Sequence, residues 1–184
     1  MLNLLRPVSL AAAVALSFIA VDASAATFTF DSNGGNGTGV DNGPTGAYDF
    51  AVTLVSNNNG TAGIYTTADA TATDSMWVTG FWQYSTNDVD GSSFDPFGYY
   101  IDTTFVQLTA TSAPPSFQNG SFSFFVSGRQ DWGFYSYSTD GILGSSTAIS
   151  YGDLAPVPLP AGGLLLLGAL GGVAALRRRK ATAA

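Results

Sequence analysis

Asp88, Asp90 and Asp95 sit in one turn-rich segment with Asn87 beside them. Carboxylate and amide oxygens gathered on a turn-rich stretch are hard ligands of the kind that hold Ca2+. These four residues are therefore a candidate structural Ca2+ site. The spacing is not that of an EF-hand. With Asp88 and Asp90 in the third and fifth ligand positions, Thr86 falls at the first and Phe97 at the twelfth, where a bidentate Glu belongs. The other reading is a solvated acidic turn whose carboxylates accept hydrogen bonds from nearby backbone N–H groups.

Catalytic chemistry is mostly excluded by residue type. The chain has no His and no Cys, and every acidic residue is Asp. That removes the Ser-His-Asp triad, the Cys-His dyad, imidazole and thiolate metal sites and any disulfide. Two Asp could act as acid and base in glycoside hydrolysis, but no pair stands out. The Asp-Thr/Ser-Gly triplet of aspartic proteases is missing, since Asp102-Thr103 continues to Thr104. The sequence therefore predicts a non-enzyme with no catalytic residues and no cofactor beyond a structural Ca2+. Trp77, Trp82, Trp132, Tyr99 and Tyr100 are the aromatics to consider for stacking on sugar rings, with Asp and Asn bonding the hydroxyls. The other reading places each in the core, because all five lie in apolar strands. Three sequons, at Asn36, Asn59 and Asn119, follow from Asn/Gly-rich turn composition.

These residues sit in a segment built of β-strands. Residues 26–156 hold all three Trp, all eight Tyr and twelve of the thirteen Phe, with Ser, Thr, Asn and Gly as filler. Aromatics, Thr and Val favour strands, and Gly, Asn and Asp favour turns. Alternation predicts a strand at 47–56, with Tyr48, Phe50, Val52 and Leu54 on one face. It predicts another at 120–127, with Phe122, Phe124 and Val126 together and Phe125 as the exception. Residues 75–84 are apolar on both faces, Trp77 and Phe81 against Val78 and Trp82, which predicts a central strand. Residues 99–110, 131–137 and 147–151 are further strands. Turn signals at Asn57-Asn58-Asn59-Gly60, Asp90-Gly91, Pro114-Pro115, Asn119-Gly120 and Asp140-Gly141 separate them. Short strands at this spacing predict an all-β fold, an antiparallel β-sandwich or jelly roll over residues 26–153. Residues 33–44 are expected to be a mobile loop, and 154–160 a linker with the motif that ends it.

The two ends are addresses. Arg6, an apolar run over residues 8–21 and then Asp22-Ala23-Ser24-Ala25 make a signal peptide over residues 1–25. Signal peptidase is expected to cut between Ala25 and Ala26, where Ala23 and Ala25 supply the small-x-small pattern. At the other end, residues 161–176 are uncharged and Leu/Gly/Ala-rich. As a helix they span about 24 Å at 1.5 Å per residue, a little under the roughly 30 Å hydrocarbon core. A basic tail over residues 177–184 opens with Arg177-Arg178-Arg179-Lys180 and stays cytoplasmic by the positive-inside rule. The folding segment then lies outside the membrane. It carries one Arg against twelve Asp, a net −11, while the whole chain is −7. Such a domain repels phosphates, which excludes nucleic acid as a partner.

Val157-Pro158-Leu159-Pro160-Ala161, followed by an apolar helix and a basic cluster, resembles the VPLPA-CTERM sorting signal, a variant of the PEP-CTERM signals of Gram-negative bacteria. Leu159 stands where the commoner form has Glu. The resemblance implies export across the inner membrane and temporary anchoring through the C-terminal helix. An exosortase-type sorting enzyme would then process the tail and release the protein to the cell envelope or the extracellular matrix. Phe81-Trp82-Gln83-Tyr84, Asp88-x-Asp90-Gly91, Phe94-Asp95-Pro96-Phe97-Gly98-Tyr99 and Trp132-Gly133-Phe134-Tyr135 resemble runs in secreted β domains that bear such signals. That likeness implies a β-sandwich family whose members mostly lack an assigned activity. The expected function is a structural or adhesive role in a matrix or biofilm. The alternative is a carbohydrate-binding module of an exopolysaccharide matrix, marked by a flat row of exposed aromatics on one sheet.

Overall fold

The structure, a computed structural model, describes residues 25–111 and 117–157. Among the described residues ten strands follow one another: β1 (Thr29–Asp31), β2 (Thr38–Asp41), β3 (Phe50–Val55), β4 (Ile64–Thr71), β5 (Met76–Thr86), β6 (Phe97–Ile101), β7 (Thr104–Gln107), β8 (Phe117–Val126), β9 (Asp131–Ser138) and β10 (Ser146–Pro156). A 3-10 turn, Gly91–Ser93, lies between β5 and β6. The strands form two antiparallel five-stranded sheets. The first runs β1-β4-β9-β6-β7 and the second β2-β3-β10-β5-β8. Taken from β3 onward, eight strands interleave as β3-β10-β5-β8 over β4-β9-β6-β7, the double Greek-key order of a jelly roll. β1 and β2 add one edge strand to each sheet.

Alternation explains which face each strand buries. Along β5 the even positions Val78, Trp82 and Tyr84 point inward; Trp77 and Phe81 point out. Phe50, Val52 and Leu54 of β3, Phe122, Phe124 and Val126 of β8, and Ala148 and Leu154 of β10 join them. From the facing sheet come Ala68 and Ala70 of β4, Phe97 of β6, and Trp132 and Phe134 of β9. The sheets meet through rings: Phe134 lies 5.9 Å from Phe50 and 5.2 Å from Phe122, and Trp82 lies 6.0 Å from Phe97. Each fully buried aromatic is worth about 1.5–3 kcal/mol, which stands in for the disulfides this chain cannot make.

Several expectations are corrected. Residues 33–44 are not all loop, because Thr38–Asp41 pairs with β3 as an edge strand. The strand expected over 99–110 is a hairpin, β6 and β7, turning at Asp102 and Thr103. Asp102 adopts a left-handed φ of 51°, a conformation Asp tolerates better than most residues. The last strand does not stop at 151. β10 runs on to Pro156 opposite β5, and Leu154 faces Val78 in the core, so the boundary at 153 and the linker at 154 fall inside a strand. Tyr48 does not share the buried face of β3; it precedes the strand and its ring lies against Tyr151. β4 is a strand that the sequence pattern does not mark. Its inward residues are the small Thr66, Ala68 and Ala70, which leave no aromatic period to read.

Candidate functional site

The outer face of the second sheet carries one group of exposed aromatics. Phe81 is 50% exposed and Trp77 48% exposed, both on the outward positions of β5. Register aligns their neighbours. Phe81 stands opposite Tyr151 on β10, with ring centres 6.1 Å apart, and Tyr48 lies 4.8 Å beyond Tyr151. Trp77 stands opposite Phe125 on β8, with ring centres 5.6 Å apart. Two ring platforms result. They are four residues apart along β5, about 13 Å at the usual rise per residue. Between them one polar row crosses the sheet in register: Asp153 on β10, Thr79 on β5 and Ser123 on β8. An open groove of about 440 Å3 continues from Phe125 around the β8 edge, lined by Tyr99, Val106, Asp102 and Gln130. This face mixes apolar rings with hydroxyl and carboxylate groups.

The other sequence-picked aromatics are dispersed. Trp82 and Trp132 are buried inside the sandwich and cannot meet a ligand. The correction has a simple cause: both fall on inward positions of their strands. Tyr99 stacks on Phe124 at 4.2 Å and reaches only the groove. Tyr100 faces outward on the first sheet but is buried beneath Phe105, whose ring stacks on it at 5.3 Å. Phe105 also contacts Tyr65 at 5.0 Å and Tyr135 at 5.1 Å, and Tyr137 closes the patch 4.4 Å from Tyr65. Tyr100 donates a hydrogen bond to Asp69 Oδ1. Burial, with the neighbouring Asp69 carboxylate adding to it, holds the Tyr100 hydroxyl well above its ordinary range. Burial likewise pushes Tyr135 up to about 12. Sequence reading missed Phe81, Phe125, Tyr48 and Tyr151 as surface rings. Phe125 had left a signal, as the one aromatic that broke the alternation of its strand.

The acidic segment lies at one end of the sandwich, where the 56–63, 87–96 and 139–145 connections meet. Its four candidates do not act alike. Asn87 is exposed, and its Oδ1 accepts from the Ser145 N–H at 2.8 Å. Asp90 is exposed. Asp88 is buried; its Oδ1 accepts from the Asp90 N–H at 2.6 Å, while Oδ2 is buried without a partner. Asp95 is 0% exposed, and neither of its carboxylate oxygens makes a hydrogen bond. Burial raises the Asp95 carboxyl to about 7, with the charges of Asp88 and Asp140 adding to the rise. The hydroxyls of Ser138 and Ser56 lie close enough to favour the charged form, though neither meets hydrogen-bond geometry. Asp88 is raised as well, chiefly by burial. Tyr84 donates from Oη to the Asp95 main-chain oxygen at 2.9 Å, and burial lifts its hydroxyl to about 12. Among the described residues no three carboxylates converge closely enough to hold a metal between them. Asp88 and Asp95 are thus the inward members of the segment, and Asn87 and Asp90 face water.

Most address residues fall outside the described region. Ala25 and Ala26 are described, and Ala26 packs against the rim of the core; Ala23 lies outside. Val157 is described, and its N–H donates to the Ser75 carbonyl at 2.9 Å. Pro158, Leu159, Pro160, Ala161, the 161–176 span and Arg177, Arg178, Arg179 and Lys180 lie outside. Among the described residues no helix is long and apolar enough to cross a membrane.

No family model matches this sequence, and no curated protein does. Among solved structures, the chain is similar to a family 35 carbohydrate binding module from Clostridium thermocellum. The identity is 10% and the TM-score 0.32, covering 67% of this chain and 97% of that one. A family 35 carbohydrate binding module from an environmental isolate matches at 11% identity and a TM-score of 0.38, covering 72% and 99%. A cycloisomaltooligosaccharide glucanotransferase from Paenibacillus sp., complexed with cycloisomaltoheptaose, matches at 15% identity and a TM-score of 0.35, covering 71% of this chain and 17% of that one.

Proposed function

We propose that this chain is an exported, non-catalytic β-sandwich that binds polysaccharide across the outer face of its second sheet. One observation carries the reading: two ring platforms, exposed Phe81 with the half-buried Tyr151 and Tyr48, and exposed Trp77 with Phe125, flank the Asp153-Thr79-Ser123 polar row. Ring faces pack against the C–H faces of sugars, and hydroxyl and carboxylate groups between them bond sugar hydroxyls. A spacing of about 13 Å exceeds one sugar ring, so the ligand is an oligosaccharide chain. The domain's net charge of −11 favours a neutral glycan over a polyanionic one. A glycan array probed with the full chain in detergent tests this. Binding to neutral glycans, lost in the Trp77→Ala/Phe81→Ala variant, is expected. Absence of binding by the wild-type chain refutes the reading.

The address residues support a complementary role. A signal peptide and a VPLPA-like tail deliver the sandwich to the envelope or matrix, where glycan binding and adhesion are one activity. The proposed partners of the ends are signal peptidase and an exosortase-type enzyme.

A further inference from the structure

We propose that the loop end of the sandwich binds one Ca2+ through the carboxylates of Asp88 and Asp95, with the Ser56 and Ser138 hydroxyls as neutral oxygen neighbours. This site is separate from the sheet face and independent of the glycan reading.

This end of the sandwich holds unmet hydrogen-bonding capacity. A fully buried carboxylate with no partner is among the least favourable groups a protein can hold. Here there are three such oxygens, both of Asp95 and Oδ2 of Asp88. The fold does not bury them by accident of a loose loop. Asp95 is anchored through its main chain by Tyr84 Oη, and Asp88 by its own N–H donating to Thr86 Oγ1 at 2.9 Å. The loop is closed further by Gly91 N–H donating to the Asp88 carbonyl. Gly144 packs so tightly on Asp88 that a Cβ there would stand 2.5 Å from its main-chain nitrogen.

Among the described residues no protein cation answers these carboxylates. Arg129 is the one basic residue among those described, and it sits in the β8–β9 turn, at the opposite end of the sandwich. Asp140, on the adjoining connection, adds negative charge to both buried Asp. A small divalent cation would satisfy the oxygens and the charge together. The ligand set is all oxygen, which fits Ca2+ and excludes the metals that need imidazole or thiolate. Mg2+ demands near-ideal octahedral geometry, whereas Ca2+ accepts irregular sets completed by water. Two carboxylates, not the three or four of a tight site, place the affinity at roughly 10⁻⁴–10⁻³ M, the range of extracellular modules.

The test uses the full chain in detergent, stripped with EDTA and melted at neutral pH with CaCl2 or MgCl2 at matched ionic strength. CaCl2 at about 10 mM should raise the melting temperature by on the order of 5 °C, and MgCl2 by less. Asp95→Asn and Asp88→Asn should each lose the Ca2+ shift. An unmoved melting temperature in CaCl2 overturns the proposal, as does a full shift retained in both variants. If neither variant folds, Tb3+ takes over as probe. Tyr84 stands beside Asp95 and should sensitise Tb3+ emission; Ca2+ should quench it by competition, and Tyr84→Phe should reduce it. Emission absent in the wild-type chain, or unchanged by Tyr84→Phe, places no ion at this end of the fold and overturns the proposal.

Discussion

Truncating the outward rings of β5 should separate binding from stability. Trp77 and Phe81 are each about half exposed, so each gains only part of the ~1.5–3 kcal/mol of a fully buried aromatic. Each also makes one ring pair, worth about 0.5–1.5 kcal/mol. Trp77→Ala and Phe81→Ala should therefore destabilise the fold by about 1–2 kcal/mol apiece. If the two platforms hold a glycan, each ring acts as a binding hot spot, and its loss should weaken affinity by at least ~2 kcal/mol, about 30-fold. The positions lie about 13 Å apart, beyond the range at which neighbouring sites usually couple. The double variant should then lose about 1000-fold, the product of the two. Trp132→Phe supplies the control. It creates a cavity in the core but also removes an indole N–H that is buried without an acceptor, so its expected loss is again about 1–2 kcal/mol. Urea denaturation measures stability, and affinity electrophoresis in a polysaccharide gel measures binding. The reasoning is refuted if Trp132→Phe weakens binding as much as Phe81→Ala does. It is equally refuted if the two outward variants bind like the wild type.

Three further outcomes are expected, the last from the sequence of the tail. Tyr84 and Tyr135 are raised to about 12 by burial, and Tyr100 is raised further by burial and Asp69. The unfolded state therefore loses these protons first, and stability present below pH 10 should fall as pH climbs from about 10 toward 12, read as a declining urea midpoint; a flat midpoint over that interval contradicts the assignment. Gly133→Ala should cost about 1–3 kcal/mol by overpacking, because a Cβ there collides with the Ala68 carbonyl on β4 and crowds Tyr100 Oη; an unchanged melting temperature would show that β4 and β9 separate more freely than their register implies. Deleting residues 157–180 should remove the protein from the envelope fraction, and undiminished surface display would rule out a sorting role for the tail.

β5 shows why only part of this was legible beforehand. Its sequence, apolar on both faces, pointed to a central strand, and β5 does lie between β10 and β8. In a soluble protein that pattern is ordinarily explained by burial on both sides. Here one side is solvent, and composition alone cannot distinguish a covered ring from an exposed one. Trp77 and Trp82 are the same residue type five positions apart, an odd spacing that sends them to opposite faces, and only the position of the second sheet decides which face is the core. The acidic segment divides in the same way. The sequence groups Asn87, Asp88, Asp90 and Asp95 because they are close along the chain, but burial sorts them: two face water and two turn inward, Asp95 beside Ser56 and Ser138, which are 39 and 43 positions away from it along the chain. Period-2 alternation is local and was readable. What gives Phe81 and Asp95 their chemistry is pairing across β10 and packing of three loops from distant parts of the chain, and no window of sequence contains it.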